Sequence, residues 1–121
     1  MLDMIFYTNN ARPSKYVELS EEIYEWLAKS QFSKIGCSIE KSFLIDGEEE
    51  CLPVVELDRE NRQQLRLFFL EAVAEESEAV LSQLQSASSK ETYQQITYRL
   101  QKLQELRKCI ENENYLYLQR I

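Results

Sequence analysis

The sequence predicts an α+β fold: a long antiparallel helical hairpin and one N-terminal helix pack on a small, mostly antiparallel sheet, in the order β-α-β-β-α-α-β. Two long segments repeat apolar residues at helical spacing, and four short segments are rich in residues that favour strands. Only two glycines and two prolines are present, which favours long uninterrupted elements. The 121 residues are expected to form one domain, 1–121.

The first strand and the first helix are predicted close to the N-terminus. Residues 2–8 are short and rich in β-forming residues, and the turn-forming residues of 9–14 follow them. A helix is expected over 19–32. Ser20 can cap it, and two glutamates in its first turn are stabilised by the positive end of the helix dipole. Gly36 is expected to end this region.

The middle of the chain predicts a β-hairpin. The spacing of apolar residues in 37–45 fits a strand or a helix, but the short length and the flanking glycines favour a strand. Residues 51–57 are predicted as its partner, in which Pro53 indicates an edge position or a bulge. Asp46 and Gly47 between the two segments are typical of a hairpin turn.

The second half of the chain predicts two helices joined by a short loop at 85–89, followed by a last strand over 115–121. Asp58 is expected to cap the first helix, and Ser88 the second, with Glu91 completing a capping box. The apolar positions are Leu65, Phe68, Phe69, Ala72, Val73, Val80, Leu81 and Leu84 in the first helix, and Tyr93, Ile96, Leu100, Leu103, Leu106 and Ile110 in the second. A loop of about five residues forces the two helices to run antiparallel.

Charge and composition exclude several partners. The formal net charge is −7, with 21 acids, 14 bases and no histidine, so a phosphate backbone repels the chain and no nucleic-acid partner is expected. No segment reaches the length of a membrane span, and no secretory signal is recognised at the N-terminus. Side-by-side helices are expected to bring four acids near four bases. These are Glu71, Glu75, Glu76 and Glu78 with Arg99, Lys102, Arg107 and Lys108.

The three cysteines are odd in number and widely spaced, which is typical of reduced thiols in the cytoplasm. Cys37, Cys51 and Cys109 are expected to be buried structural thiols. A nucleophilic cysteine needs a base, and the sequence has no histidine to supply one. A zinc site needs paired ligands such as Cys-x-x-Cys, which are absent from the sequence.

The densest group of ionisable residues is the acidic run within 45–61. Asp46, Glu48, Glu49 and Glu50 offer oxygen ligands for Ca²⁺ or Mg²⁺. Calcium loops, however, need ligands at alternating positions and a distant bidentate acid, and this run places its acids in a row. We therefore expect a solvated hairpin end whose charges keep the sheet edge from pairing with other molecules.

No catalytic motif stands out. Two isolated glycines cannot form a phosphate-binding loop, and a serine triad would lack its histidine. A glycosidase activity that uses two carboxylates is an alternative in principle, but the sequence does not identify a particular pair of acids for it. We expect no enzyme activity, no cofactor and no metal.

Aromatic residues are frequent, with seven tyrosines and one tryptophan. They concentrate around the first helix (Tyr16, Tyr24 and Trp26) and in the C-terminal part (Tyr93, Tyr98, Tyr115 and Tyr117). Such residues are favoured at protein interfaces and at the boundary of a small core, so both interpretations stay open. The basic segment 11–16 is read as a connecting loop, with contact to an anion as the alternative.

These observations predict a small, acidic, cytoplasmic protein-binding module without catalytic activity, with a regulatory, adaptor or immunity-like role. The expected partner is a protein, for which a basic surface is one option, and neither nucleic acid nor a membrane. The candidate binding residues are Tyr16, Glu21, Glu22, Glu25, Trp26, Glu48, Glu49 and Glu50. One alternative is a homodimer through the helical hairpin, as in a four-helix bundle. Another is an enzyme that depends on carboxylates or a metal.

Overall fold

The computed structural model describes residues 2–8, 13–45, 47–85 and 89–120 of the chain. The elements in chain order are β1 (Leu2–Tyr7), β2 (Pro13–Leu19), α1 (Glu21–Lys29), a 3-10 helix (Gln31–Lys34), β3 (Ser38–Ile45), β4 (Glu48–Glu56), α2 (Arg59–Leu84), α3 (Lys90–Glu111) and β5 (Tyr117–Arg120). The α+β class, the order of the predicted elements and the α2–α3 hairpin are confirmed. One strand, β2, is added to the predicted order.

The added strand corrects the prediction of a loop over 11–16. Within β2, Val17 and Leu19 are fully buried, whereas Tyr16 and Glu18 are exposed, which is the two-residue alternation of a strand with one covered face. Residues 9–12, which carry most of the predicted turn, lie outside the described residues. The strand begins at Pro13, a position where the missing N–H of proline is tolerated.

The five strands form one antiparallel sheet in the order β2-β1-β5-β4-β3. The C-terminal strand therefore lies at the centre, with Leu118 opposite Phe6 of β1. Strand β4 pairs with β3 from Glu48 to Val55, but its ladder with β5 contains only two residues. Pro53 thus lies where β4 has only one partner strand. Proline is tolerated there because its missing N–H is not needed for a hydrogen bond to a second strand.

The helices cover one face of the sheet and enclose the main core. Its buried members are Met4, Phe6, Val17, Leu19, Ile23, Leu27, Phe32, Leu57, Leu65, Phe69, Ala72, Leu103, Leu106, Cys109, Ile110 and Leu118. Every α-helix and four of the five strands or their flanks contribute to it, so burial of this apolar surface ties the chain ends to the helical hairpin.

A second, smaller group of apolar residues lies on the other face, here called the outer face. This hairpin cluster consists of the buried Tyr7, Phe43 and Val54, with Ile5, Leu52 and Tyr117 packed against them. The ring of Phe43 stacks on Tyr7 at 5.0 Å between centroids and meets Tyr117 edge-on at 5.5 Å. The β3–β4 hairpin therefore bends across the outer face of the sheet.

Side-chain caps fix the three α-helix starts. Ser20 Oγ accepts from the N–H of Ile23 at 3.3 Å, and Asp58 Oδ1 accepts from Asn61 at 2.7 Å, as the sequence predicts for both caps. The cap of α3 is Ser89, not Ser88, which lies outside the described residues. Helix α1 ends at Lys29, earlier than the predicted 32, and the 3-10 helix follows it.

The helical hairpin extends beyond the main core. Of the four acids and four bases predicted to meet, only Glu76 and Arg99 form an ion pair between α2 and α3 among the described residues, at 3.4 Å. The sequence did not predict the second ion pair between these helices, which joins Arg66 and Glu111 at 3.9 Å. No described residue from 74 to 97 belongs to the main core. Two predicted apolar positions are consequently wrong as core residues, because Leu81 is 65% exposed and Tyr93 is 52% exposed.

None of the helices in the described ranges is both long enough and apolar enough to cross a membrane.

Candidate functional site

Three of the predicted binding residues lie on one exposed face of α1. Glu21, Glu22 and Glu25, here called the α1 acids, are exposed, while Ile23 and Leu27 on the opposite face enter the main core. Glu21 and Glu22 lie in the first turn, where the positive end of the helix dipole favours them. None of the α1 acids forms an ion pair with a described residue.

Trp26 lies on the side of α1 that meets the helical hairpin. Its ring is 5.8 Å from the ring of Phe68, and the guanidinium of Arg99 lies over it at 4.3 Å. The same Arg99 faces Glu76 in the ion pair between the helices. Trp26 is thus half-buried in contacts within the molecule, and the cation–π contact links α1 to α3.

The three consecutive glutamates begin β4. Glu48, Glu49 and Glu50, here called the hairpin acids, are all exposed, as expected for a solvated hairpin end. Their places in the ladder are opposite Ile45, Leu44 and Phe43 of β3. Asp46 lies outside the described residues, while Gly47 has a φ of 81°, the left-handed conformation that hairpin turns require.

Tyr16 and Glu50 lie on the same side of the molecule. Burial raises the pKa of Tyr7, and the nearby charges of Tyr16 and Glu50 raise it further. Tyr7 belongs to the hairpin cluster, and Tyr16 is opposite Ile5 in the β1–β2 ladder. The fold therefore brings Tyr16 and Glu50 together on the outer face, whereas the α1 acids and Trp26 belong to the helix-covered side.

In the described part of the chain, ion pairs neutralise acids only in the helical hairpin. Among the described residues the paired acids are Glu76, Glu105 and Glu111. Lys15, in the segment that the sequence left open as an anion contact, is already paired with Glu105 at 3.3 Å. The α1 acids and the hairpin acids are therefore left with charges that no described base offsets.

The cysteines differ from the prediction that all three are buried. Cys37 and Cys51 are exposed, and only Cys109 is buried. Burial raises the pKa of the Cys109 thiol to about 11. Cys51 lies opposite Ser42 in the ladder, with 3.3 Å between its sulfur and the hydroxyl oxygen, in the exposed first half of β4. In the described ranges no three acids or thiols converge as a metal site would require.

Two arginines that the sequence does not single out make the densest polar contacts. Arg62 donates to the carbonyl oxygens of Leu57, Ile110, Asn112 and Tyr115, at 2.6 to 3.1 Å. Neither the helical pattern around it nor its charge distinguishes it from other surface arginines in sequence. Its four acceptors come from three separate segments that meet only in the fold.

Arg120 is the second of these arginines. Its Nη1 donates to the carbonyl oxygens of Phe32 and Ile35 at 2.5 and 3.0 Å, and its Nη2 lies 3.5 Å from the carbonyl oxygen of Gly36. The sequence gives one signal for Arg120, which is a charged residue in a strand otherwise rich in apolar residues. The contacts fix the segment between the 3-10 helix and β3 against β5.

No protein-family model matches the chain, and neither a curated protein nor a solved structure is significantly similar to it.

Proposed function

We propose that this chain is a small cytoplasmic protein-binding module without catalytic activity, which binds a partner with a basic surface. The observation that supports the proposal most strongly is the uncompensated charge of the hairpin acids. All three are exposed, and no described base pairs with them. Such a cluster attracts a positive surface from a distance and raises the rate of association.

The outer face also offers apolar contacts beside these charges. Tyr16 is 53% exposed and Ile39 is 44% exposed. Ile39 is opposite Val54 of the hairpin cluster, so both side chains project from the outer face. Tyrosine is favoured at the centre of protein interfaces because it buries a large, stiff surface while its hydroxyl keeps a hydrogen bond.

Neutralisation of the hairpin acids tests the proposal. The variant is Glu48→Gln/Glu49→Gln/Glu50→Gln, and the matched control is Glu71→Gln/Glu75→Gln/Glu78→Gln, which removes the same charge from exposed positions of α2. Each protein is immobilised and exposed to an extract of the native host. Retained proteins are identified by mass spectrometry, and the affinity of each purified candidate is then measured at low and high salt.

We expect the wild type and the α2 control to retain a protein with a basic surface, and the hairpin variant to bind it at least tenfold more weakly, which is about 1.4 kcal/mol. High salt should reduce the difference, because it screens exposed charges. Equal binding of one partner to all three proteins, or the absence of any basic partner, would contradict the proposal.

A homodimer through the helical hairpin is the second candidate, favoured by its exposed apolar side chains. Leu67 and Leu81 of α2 are 50% and 65% exposed, and Tyr93 of α3 is 52% exposed. Leu67 and Leu81 are two heptads apart, so they lie on one stripe of the helix. Light scattering over a range of concentrations tests this candidate. A mass that stays at 14.4 kDa would exclude it, whereas a dimer that Leu81→Lys dissociates would support it.

A further inference from the structure

A cavity of about 220 Å³ lies between the N-terminal helices and the sheet. Met4 of β1, Leu27 of α1 and Phe32 of the 3-10 helix line it, and each of these side chains is at least 98% buried. Cavities that take drug-sized ligands have volumes of about 300 Å³ or more, so this cavity suits a smaller molecule. Because these three side chains have almost no exposed surface, the accessible walls of the cavity come from other residues, among them Tyr24 and Ala28 of α1.

Of the described residues that line the cavity, only Arg120 is charged. None of the described carboxylates forms an ion pair with this guanidinium, in a chain with seven more acids than bases. Burial lowers the pKa of Arg120, and among the described residues Cys37 is the group that opposes this shift. Partial burial of a cation is costly, and none of the described carboxylates offsets this cost at Arg120, so an anion at this place would be stabilised.

The guanidinium keeps donors for such an anion. Both Nη1 hydrogens are directed to carbonyl oxygens, but Nη2 has a single contact at 3.5 Å, and no described acceptor lies within hydrogen-bond reach of Nε. The Nε–Nη2 edge of an arginine matches the two oxygens of a carboxylate. Tyr24, Ser33 and Ser38 also line the cavity and bring hydroxyl groups to it.

We infer that this cavity binds a small monocarboxylate, whose carboxylate pairs with Arg120 and whose apolar body lies against Tyr24 and Ala28. The inference does not depend on the proposed protein-binding function. One cation in a cavity of about 220 Å³ fits a single negative charge on a small molecule. A phosphate group carries more charge and is usually bound by several donors or cations at once.

Two carboxylate probes and two neutral analogues test the inference. Benzoate is compared with benzamide, and hexanoate with hexanamide, in titrations followed by ¹⁵N chemical shifts of the backbone and of Arg120 Nε. We expect a saturable shift of the Ser33 and Ser38 amides with at least one carboxylate, with a Kd of about 1 mM or tighter. Each neutral analogue should bind at least tenfold more weakly.

Three variants test separately the charge of Arg120, the free volume of the cavity and the loss of an arginine elsewhere. Arg120→Gln removes the cation, while Arg66→Gln removes an exposed arginine elsewhere as the matched control. Ala28→Phe fills the cavity from its exposed end and leaves Arg120 in place, so it remains informative if Arg120→Gln does not fold. We expect at least tenfold weaker binding for Arg120→Gln and for Ala28→Phe, and unchanged binding for Arg66→Gln.

Several outcomes would overturn the inference. These are the absence of saturable binding by both carboxylates up to about 20 mM, equal binding of carboxylates and amides, and binding that survives both Arg120→Gln and Ala28→Phe. In the first case the cavity holds only water, of which its volume would accommodate about seven molecules at 30 Å³ each.

Discussion

The ring of Phe43 in β3 stacks on the ring of Tyr7 in β1 at 5.0 Å, although β4 and β5 lie between these strands in the sheet. Neighbouring strands are about 4.8 Å apart, so a flat sheet would separate β1 and β3 by roughly 14 Å. The hairpin must therefore bend over the outer face. It bends where the β4–β5 ladder has ended, close to Pro53.

We expect Phe43→Ala to lower the free energy of unfolding by about 3 kcal/mol, as for other large-to-small changes in cores. Phe43 is 4% exposed and joins the hairpin to both terminal strands, so its loss leaves a cavity in the hairpin cluster. Urea denaturation measures the effect. Ile39→Ala on the same strand, at a position 44% exposed, is the control and should cost less than about 1 kcal/mol. Equal costs would show that the hairpin cluster adds little stability.

Arg62→Lys should lower the free energy of unfolding by about 3 kcal/mol, although the charge is kept. The guanidinium satisfies four carbonyl oxygens, including that of Ile110 at the end of α3, and an ammonium group cannot reach all four. Denaturation of Arg59→Lys, an exposed position in the same helical turn, gives the reference and should match the wild type. A loss below about 1 kcal/mol for Arg62→Lys would show that water replaces the arginine.

Local features of the fold are predictable from the sequence, whereas features that depend on distant contacts are not. The caps Ser20 and Asp58 are found as predicted, because a cap depends on the three residues that follow it. Strand β2 is missed because Pro13 and the turn residues before it obscure a short alternation. The bend of the hairpin and the acceptors of Arg62 depend on segments far apart in sequence.

In the helical hairpin and the candidate site, too, local features are predictable from the sequence and features that depend on distant contacts are not. Apolar spacing predicts which side of α2 and α3 is covered, but not how far the sheet reaches along them. Helix α2 has 26 residues, which at about 1.5 Å per residue makes it roughly 39 Å long, and its distal part lies past the main core. Exposure of the hairpin acids is predictable from their charge. The internal role of Trp26 is not, because its partners Phe68 and Arg99 come from other helices.

Gly36→Ala should destabilise the protein more than Gly47→Ala. Both glycines have a positive φ, so an alanine costs about 1 kcal/mol of backbone strain at either position. At Gly36 the added Cβ would also lie 2.8 Å from Cγ1 of Val55, whereas nothing lies within 4 Å at Gly47. Urea denaturation of the two variants therefore separates packing from strain. A smaller loss for Gly36→Ala would mean that Val55 moves aside freely.

Two thiols should react quickly in the folded protein and the third only after unfolding. Cys37 and Cys51 are exposed, whereas Cys109 is 6% exposed and the pKa of its thiol is raised to about 11 by burial. A disulfide reagent reacts with the thiolate, so Cys109 is protected by both access and protonation. Titration with Ellman's reagent should give two equivalents promptly and one more in denaturant. Three prompt equivalents would show that the C-terminal end of α3 opens readily.

The same thiol should make stability fall with alkaline pH. The pKa of Cys109 rises from 9.0 in the unfolded chain to about 11 in the fold, so the unfolded chain loses its proton first. The stabilising contribution of the neutral thiol is therefore complete below pH 9 and is lost as the pH rises through 11. Two pKa units correspond to roughly 3 kcal/mol at most, at about 1.4 kcal/mol each.

Other groups titrate in the same range, so the measurement compares the wild type with Cys109→Ala at each pH. Below pH 9 the wild type should be the more stable protein, because alanine leaves a small cavity in the main core. The difference in unfolding free energy between the two proteins should then shrink steadily between pH 9 and 11, since only the wild type has the thiol to ionise. Stability curves that stay parallel would mean that the Cys109 thiol ionises at the same pH in the folded and unfolded chains.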